Sequence, residues 1–321
     1  MRFIVLLSVP LASFAFVAAC DDDNSSATPA IDAGPSRETT TPADNDGTVA
    51  VAFEARVGDT PFSCSAPATG MGTTHATIEP LDFRVYVHDV RLIGAAGEDV
   101  PLVLIDDGKW QYEGVALLDF EDKSGTCANG TTEVNTVLKG TAPAGTYTGL
   151  KFKIGVPFEL NHADVATAPS PLNLSGLFWS WNGGYKFARI DGRTPPLDGG
   201  IDTDAGMEMD GGMHMDPGVF SIHLGSTECQ GEPETGDTVT ACGRPNVGEV
   251  VLTGFDPTTK KIFADYKALV SGTNLAMDMG GAPGCMSGAT DPECPSILSH
   301  LGVNPSTGQP DATQQTLFRV E

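Results

Sequence analysis

Basic side chains are scarce in this sequence: 18 Lys and Arg stand against 42 Asp and Glu, a formal net charge of −24. A surface of that sign repels phosphates, which argues against nucleic acid and anionic membrane as ligands. Aromatic residues are few at 7%, whereas Gly at 38 and Pro at 23 are plentiful, a balance that favours short strands and many turns over long helices. After Cys20 no stretch approaches the roughly 18 continuous apolar residues of a membrane helix, so the mature chain is expected to be soluble. Several chemistry-bearing motifs are also missing. There is no C-x-x-C pair, which argues against a thiolate metal site, and no C-x-x-C-H, which excludes c-type haem attachment. No G-x-S-x-G, H-E-x-x-H or P-loop is present.

The leader is the first positive signal. Met1-Arg2 precedes an almost uninterrupted apolar run from Phe3 to Ala19, which ends in Val17-Ala18-Ala19-Cys20. A short apolar run and small residues before a cysteine make a lipoprotein-type export signal over 1–20, with Cys20 the lipidated first residue of the mature protein. The blander alternative is an ordinary signal peptide cut near a cysteine. Residues 21–48 are Asp, Ser, Thr, Ala, Pro and Asn with one isolated Ile31, too polar to offset their ordering entropy, and read as a disordered tether. The folded domain is expected over 49–321. A hydrophobic fraction of 40% suffices for a core of that size.

Strand signals recur through this domain. Leu81 to His88 alternates, placing Leu81, Phe83, Val85 and Val87 on one face and Asp82, Arg84, Tyr86 and His88 on the other. Val100–Ile105, Thr146–Ile154, Tyr185–Ile190, Val219–Leu224, Glu249–Phe255 and Lys261–Val270 are similar runs bounded by turn residues. Helical pattern is confined to Pro295–Leu301 and a turn near Gly114–Leu118. The expected fold is all-β, an antiparallel sandwich-like domain with long loops. Of 7 cysteines, setting Cys20 aside leaves Cys64, Cys127, Cys229, Cys242, Cys285 and Cys294, an even number that in an exported chain favours disulfides. Short-range closure suggests Cys229 with Cys242 and Cys285 with Cys294, leaving Cys64 and Cys127; sequence alone does not select the pairing.

Histidine and methionine carry the candidate metal chemistry. His223 alternates with Phe220, Ile222 and Leu224 and points with Ser221 to the polar side, so His88 and His223 are candidates to meet across one sheet face. Imidazole suits copper and zinc, and thioethers select Cu(I). The acidic, Gly-rich segment 198–217 holds Met207, Met209, Met213, His214 and Met215, a cluster with no core to fill and a possible accessory Cu(I) loop. Each single histidine is more often a hydrogen-bonding or surface residue. Calcium at Asp202-Thr203-Asp204 fails the EF-hand pattern, because Met207 and Met213 stand where Gly and Glu are required. The run Leu177–Phe187 holds Trp179 and Trp181 at i and i+2, hence on one strand face; most such pairs are packing.

Asp82–Leu92, Gly108-Lys109-Trp110-Gln111, Leu117–Asp122, Gly155-Val156-Pro157-Phe158 with Asn161-His162, Phe178-Trp179-Ser180-Trp181 with Gly184–Phe187, His223–Thr227 with Cys229, and Cys285-Met286-Ser287 with Asp291–Cys294 together resemble the MbnP family. These are copper-binding partner proteins of methanobactin-type operons, also described as metallo-mystery-pair four-Cys proteins. The resemblance runs from about Val49 to Glu321. It implies a periplasmic or cell-surface copper protein that works with an MbnH-type, MauG-like dihaem cytochrome c peroxidase. That partner would oxidise Trp179 or Trp181 towards kynurenine, and copper would bind near the modified residue with His88, His162 and His223. On this reading the chain is not itself an enzyme, and it touches membrane through its lipid anchor only. The alternative from another class is an extracellular all-β adhesion or assembly module with structural histidines and no metal. A hydrolase with carboxylates assembled by the fold is a third.

Overall fold

A computed structural model describes residues 46–194, 208–209, 213–214, 218–231, 233, 236–277 and 279–321. The leader, Cys20 and nearly all of the tether lie outside the described residues, as do Met207, Met215 and the side chains of Met209, Met213 and His214. The first strand, Asp46–Val57, begins three residues before the expected boundary, and its start pairs with the strand Val137–Pro143.

Two sheets build the core. The larger runs in the order Gly248–Thr253, Tyr147–Ile154, Ala76–Gly94, Ala188–Arg193, Val219–Leu224, Gly284–Cys285. The smaller runs Phe318–Val320, Ile262–Asp265, Asp46–Val57, Val137–Pro143, Val103–Leu104. They meet through Phe53 and Phe318 of the smaller sheet and Phe152 of the larger, with ring centroids 5.1–6.0 Å apart and edge to face. The domain is thus all-β, as the turn-rich composition implies. It is mixed rather than purely antiparallel, because Asp46–Val57 runs parallel to Ile262–Asp265, and Val219–Leu224 parallel to Gly284–Cys285.

Several expected elements break where a polar or imino group intervenes. Val100–Ile105 divides into Asp99–Pro101 and Val103–Leu104, which join different sheets. Lys261–Val270 turns helical after Asp265, whose carboxylate accepts from the Lys267 and Ala268 backbone N–H groups and so caps the helix Tyr266–Leu269. The expected turn near Gly114–Leu118 is instead the strand Val115–Asp119, fully buried and paired with the long strand. A short continuous apolar run of that kind suits a strand covered on both faces. The helix expected over Pro295–Leu301 is present as Cys294–His300.

The long strand Ala76–Gly94 organises the functional side. Residues 82–88 are all buried, so the face carrying Asp82, Arg84, Tyr86 and His88 is not a solvent face. The excursion 155–187 covers it: Tyr86 Oη donates to the Pro171 carbonyl at 2.7 Å, and the Tyr86 ring meets Tyr185 at 5.8 Å. Cross-strand register aligns Asp119, Arg84, Arg189 and His223 in one row over four strands, with Asp82, Asp191 and Ser221 in the next.

Three disulfides staple the domain, Cys64–Cys127, Cys229–Cys242 and Cys285–Cys294. Among the described residues no helix is long and apolar enough to cross a membrane. The first disulfide closes a sequence separation of 63, for which the chain-entropy account gives about 4 kcal/mol. Replacing both Cys64 and Cys127 by Ala is expected to lower urea stability by that order and to raise the m-value, because the freed unfolded chain exposes more surface. A midpoint equal to wild type would show that the bridge constrains nothing.

Candidate metal centre

Trp179 and Trp181 sit on a tight hairpin. Phe178–Trp179 pairs with Gly184–Tyr185, and the connection Ser180–Asn182 is a 3₁₀ turn closed by Gly183 in the left-handed region, φ 55°. The chain therefore leaves the strand after Trp179, and the two indoles do not share an extended strand face. They still touch, with ring centroids 5.5 Å apart. The turn divides their environments: Trp179 is 1% exposed and Trp181 41%.

The space for the Trp179 indole is made by a glycine. A Cβ on Gly225 would stand 2.4 Å from Trp179 Cζ3 and 2.8 Å from the Tyr185 carbonyl oxygen. Gly225→Ala is accordingly expected to push the indole off its seat at a cost of about 1–3 kcal/mol, read as a shift in tryptophan emission together with a lower Tm. Unchanged emission would mean that the backbone yields instead.

His223 lies beside this indole, ring centroids 6.4 Å apart. Its Nε2 is 2.9 Å from Asp191 Oδ1, and its Nδ1 is buried with no hydrogen-bond partner among the described residues. Asp191 Oδ2 accepts from Arg189 Nε at 2.8 Å, Arg189 also reaches Asp82 at 3.1 Å, and Asp82 pairs with Arg84. Burial opposes ionisation of Asp191, but His223, through its charge when protonated and through its N–H, and the Arg189 guanidinium outweigh it and hold the carboxyl well below the usual range. An ionised carboxylate only accepts, so Nε2 carries the His223 proton and Nδ1 keeps its lone pair. Burial also pushes the imidazole below its ordinary pKa, leaving it neutral at pH 7. An oriented, neutral imidazole with a free lone pair, backed by a carboxylate, is the arrangement that metal-ligating histidines adopt.

His162 grips the other side of the hairpin. Its Nδ1–H donates to the Gly183 carbonyl at 2.8 Å, so Nε2 is the lone-pair nitrogen; it receives the Asn161 amide at 3.1 Å and lies 3.5 Å from Cys242 Sγ. His88 is built the same way, with Nδ1 2.9 Å from the Gly155 carbonyl. Burial lowers the pKa of both rings. The register separates His88 from His223. His223 aligns with Arg84, so His88 stands four residues further along and two strands away, about 13 Å by 10 Å. His162 and His223 thus flank the Trp hairpin, while His88 lies apart.

Among the described residues, three groups of ligand-type side chains have their donor atoms within 4.8 Å of one another: His162 with Cys229 and Cys242, Glu121 with Cys64 and Cys127, and Asp291 with Cys285 and Cys294. In each the two sulfurs are bonded to one another, so none offers thiolates as it stands. The side chains that sequence reasoning missed are Asp191, Arg189 and Asn161. The alternation Arg189-Ile190-Asp191 held the signal for two of them, since it places both polar groups on the face opposite Ile190. Asn161, whose Oδ1 accepts from the Tyr185 N–H at 2.8 Å, gives no such pattern.

The MbnP family profile matches residues 46–287. The solved structure of MbnP from Methylosinus trichosporium is similar at 32% identity with a TM-score of 0.71, covering 86% of this chain and 98% of that one. No curated protein sequence matches the chain. A profile spanning most of the sequence, a shared fold at that identity and three disulfides on a mixed β-sandwich agree: the chain belongs to the MbnP family.

Proposed function

We propose that this protein is an exported copper-binding lipoprotein, itself without enzymatic activity, acting in copper acquisition or homeostasis. A MauG-like dihaem cytochrome c peroxidase of the MbnH type oxidises a tryptophan of the Trp179–Trp181 hairpin to a kynurenine-type group. Copper then binds beside it, with His223 Nδ1 as a ligand, His162 on the hairpin's far side as a second imidazole, and His88 set apart from both. The observation that carries this reading is the buried indole of Trp179 beside a buried, proton-free and unpartnered His223 Nδ1. Imidazole nitrogen fits copper, and Asp191 fixes the ring in the metal-binding tautomer.

Trp181 supports the partner role. Its exposed indole contacts the buried one, so an oxidising protein has a place to reach the hairpin without entering it. Three disulfides and the lipoprotein-type leader support export, and a net charge of −24 raises the local concentration of cations and of any positively charged partner face. Lipidation at Cys20 would hold the protein beside a membrane-associated redox partner. The Met207, Met209, Met213, His214, Met215 segment is kept as an accessory Cu(I) capture loop.

Peptide mass mapping and metal analysis of the protein from its native host test the reading together. An oxidation product of the kynurenine type at Trp179 or Trp181 with near-stoichiometric copper is expected. Two intact tryptophans in a chain that stays metal-free after copper is offered would overturn it.

A further inference from the structure

The disulfide Cys229–Cys242 differs from the other two in what surrounds it. The sulfurs of Cys64–Cys127 and Cys285–Cys294 belong to buried residues, whereas Cys229 and Cys242 are both half-buried and open to reagents. The two face each other directly across the hairpin formed by Thr227–Gln230 and Ala241–Arg244. Breaking the S–S bond therefore leaves both thiols at the same register, because the strands on either side still pair.

An imidazole from a different part of the chain completes the group. His162 Nε2, the nitrogen with the lone pair, is aimed at Cys242 Sγ at 3.5 Å, and all three donor atoms lie within 4.8 Å of one another. Ligands held about 2.0–2.3 Å from one ion in a trigonal set stand about 3.5–4 Å apart; His162 Nε2, 3.5 Å from Cys242 Sγ, already has that spacing, and the two sulfurs, bonded to each other while the bridge stands, move apart to it once reduced. Gly183 fixes the ring through Nδ1, and Asn161, which now donates to Nε2, is itself held by the Tyr185 N–H and can release that bond without moving its backbone. Phe158 packs against the ring at 4.8 Å and limits its rotation.

We propose that Cys229, Cys242 and His162 form a redox-gated site for one Cu(I), closed while the disulfide stands and opened by a dithiol reductant of the thioredoxin type. The reductant's two thiols become a disulfide as Cys229–Cys242 becomes two thiols, a two-electron exchange through a mixed disulfide. Cu(I) then binds both sulfurs as thiolates together with His162 Nε2, and the two thiol protons leave to solvent. Two thiolates and one imidazole make a soft donor set that selects Cu(I). The site shares His162 with the centre proposed at Trp179 and His223, and the cysteine and His223 variants, which leave His162 in place, tell the two apart.

The test uses the mature chain under anaerobic conditions, titrated with Cu(I) buffered by bicinchoninate before and after one equivalent of dithiothreitol. Reduction is expected to add one Cu(I) per chain, with an ultraviolet thiolate-to-copper absorption band and with alkylation of Cys229 and Cys242 slowed about tenfold or more by the metal. The double variant Cys229→Ser, Cys242→Ser should lose this added copper and keep whatever bound before reduction, while His223→Ala should do the reverse. Since the double variant loses a staple, His162→Gln provides a second check in a chain with all bridges intact, with the added Cu(I) weakened about tenfold. The proposal falls if another disulfide opens first, if Cu(I) fails to protect the two thiols, if the added copper survives in the double variant, or if the reduced site prefers Zn(II).

Discussion

His223→Ala is expected to abolish near-stoichiometric copper binding in the partner-modified protein. The physical reason is specific to this ring. His223 Nδ1 is a buried imidazole nitrogen that finds no hydrogen-bond partner among the described residues, and it stands beside the Trp179 indole. Leaving a buried acceptor unpaired costs about 1–3 kcal/mol, which a bound metal ion would recover. Asp191→Asn should retain the ring but lose its fixed tautomer, lowering copper affinity about 10–100-fold. His223→Gln provides a polar control of similar reach should the alanine variant unfold. Because burial holds the His223 imidazole below its ordinary pKa, protons compete for Nδ1 only in acid. Wild-type affinity should stay flat from pH 8 down through about 6.5 and fall below that. Metal content after gel filtration, with circular dichroism to confirm the fold, decides the matter. Copper retained in His223→Ala would remove this histidine from the centre.

The alternation of Leu81–His88 and Val219–Leu224 was fully legible, because a strand's period of two is written in its side chains. Which face meets solvent was not. The sequence marks Asp82, Arg84 and His88 as polar, and polar usually means wet; here the 155–187 excursion folds over that face and the charges neutralise one another inside. That compensation depends on strand order, and strand order is not a local property. The same limit separated His88 from His223: each is correctly assigned to the polar side, but the strand Ala188–Arg193 lies between theirs and the register offsets them along the sheet. Short-range closure correctly suggested Cys229–Cys242 and Cys285–Cys294, because ring closure over few residues costs little entropy. The Trp pair shows the converse. Spacing of two suggested a shared face, but the chain leaves the strand after Trp179 for the 3₁₀ turn Ser180–Asn182, and contact persists with unequal burial.

Asp119→Asn is expected to stabilise the protein in alkaline solution and to change little near pH 4. Asp119 heads the row that runs through Arg84 and Arg189 to His223. Burial pushes its carboxyl up to about 8, with repulsion from Glu121 and Asp82 adding to the effect and Arg84 opposing it. The folded-state value lies above the unfolded one of 3.8, so the native state binds the proton more tightly. Below about pH 4 both states are protonated and the favourable contribution is complete. As pH rises towards 8 the unfolded chain ionises first, and that contribution drains away. At about 1.4 kcal/mol for each pKa unit the ceiling on the loss is about 6 kcal/mol. Asparagine cannot ionise, and its carbonyl can still accept from the Glu121 N–H, which Asp119 Oδ1 now holds at 3.2 Å. Urea midpoints at pH 4, 6.5 and 9 should therefore diverge, the variant gaining several kcal/mol over wild type at the highest pH. A constant difference across the series would mean that Asp119 is already ionised beside Arg84. The same measurement bears on the metal centre: if neutral Asp119 leaves Arg84 free to serve Asp82, the chain Asp82, Arg189, Asp191 that orients His223 keeps its charge, and copper affinity should be the same in variant and wild type at pH 7.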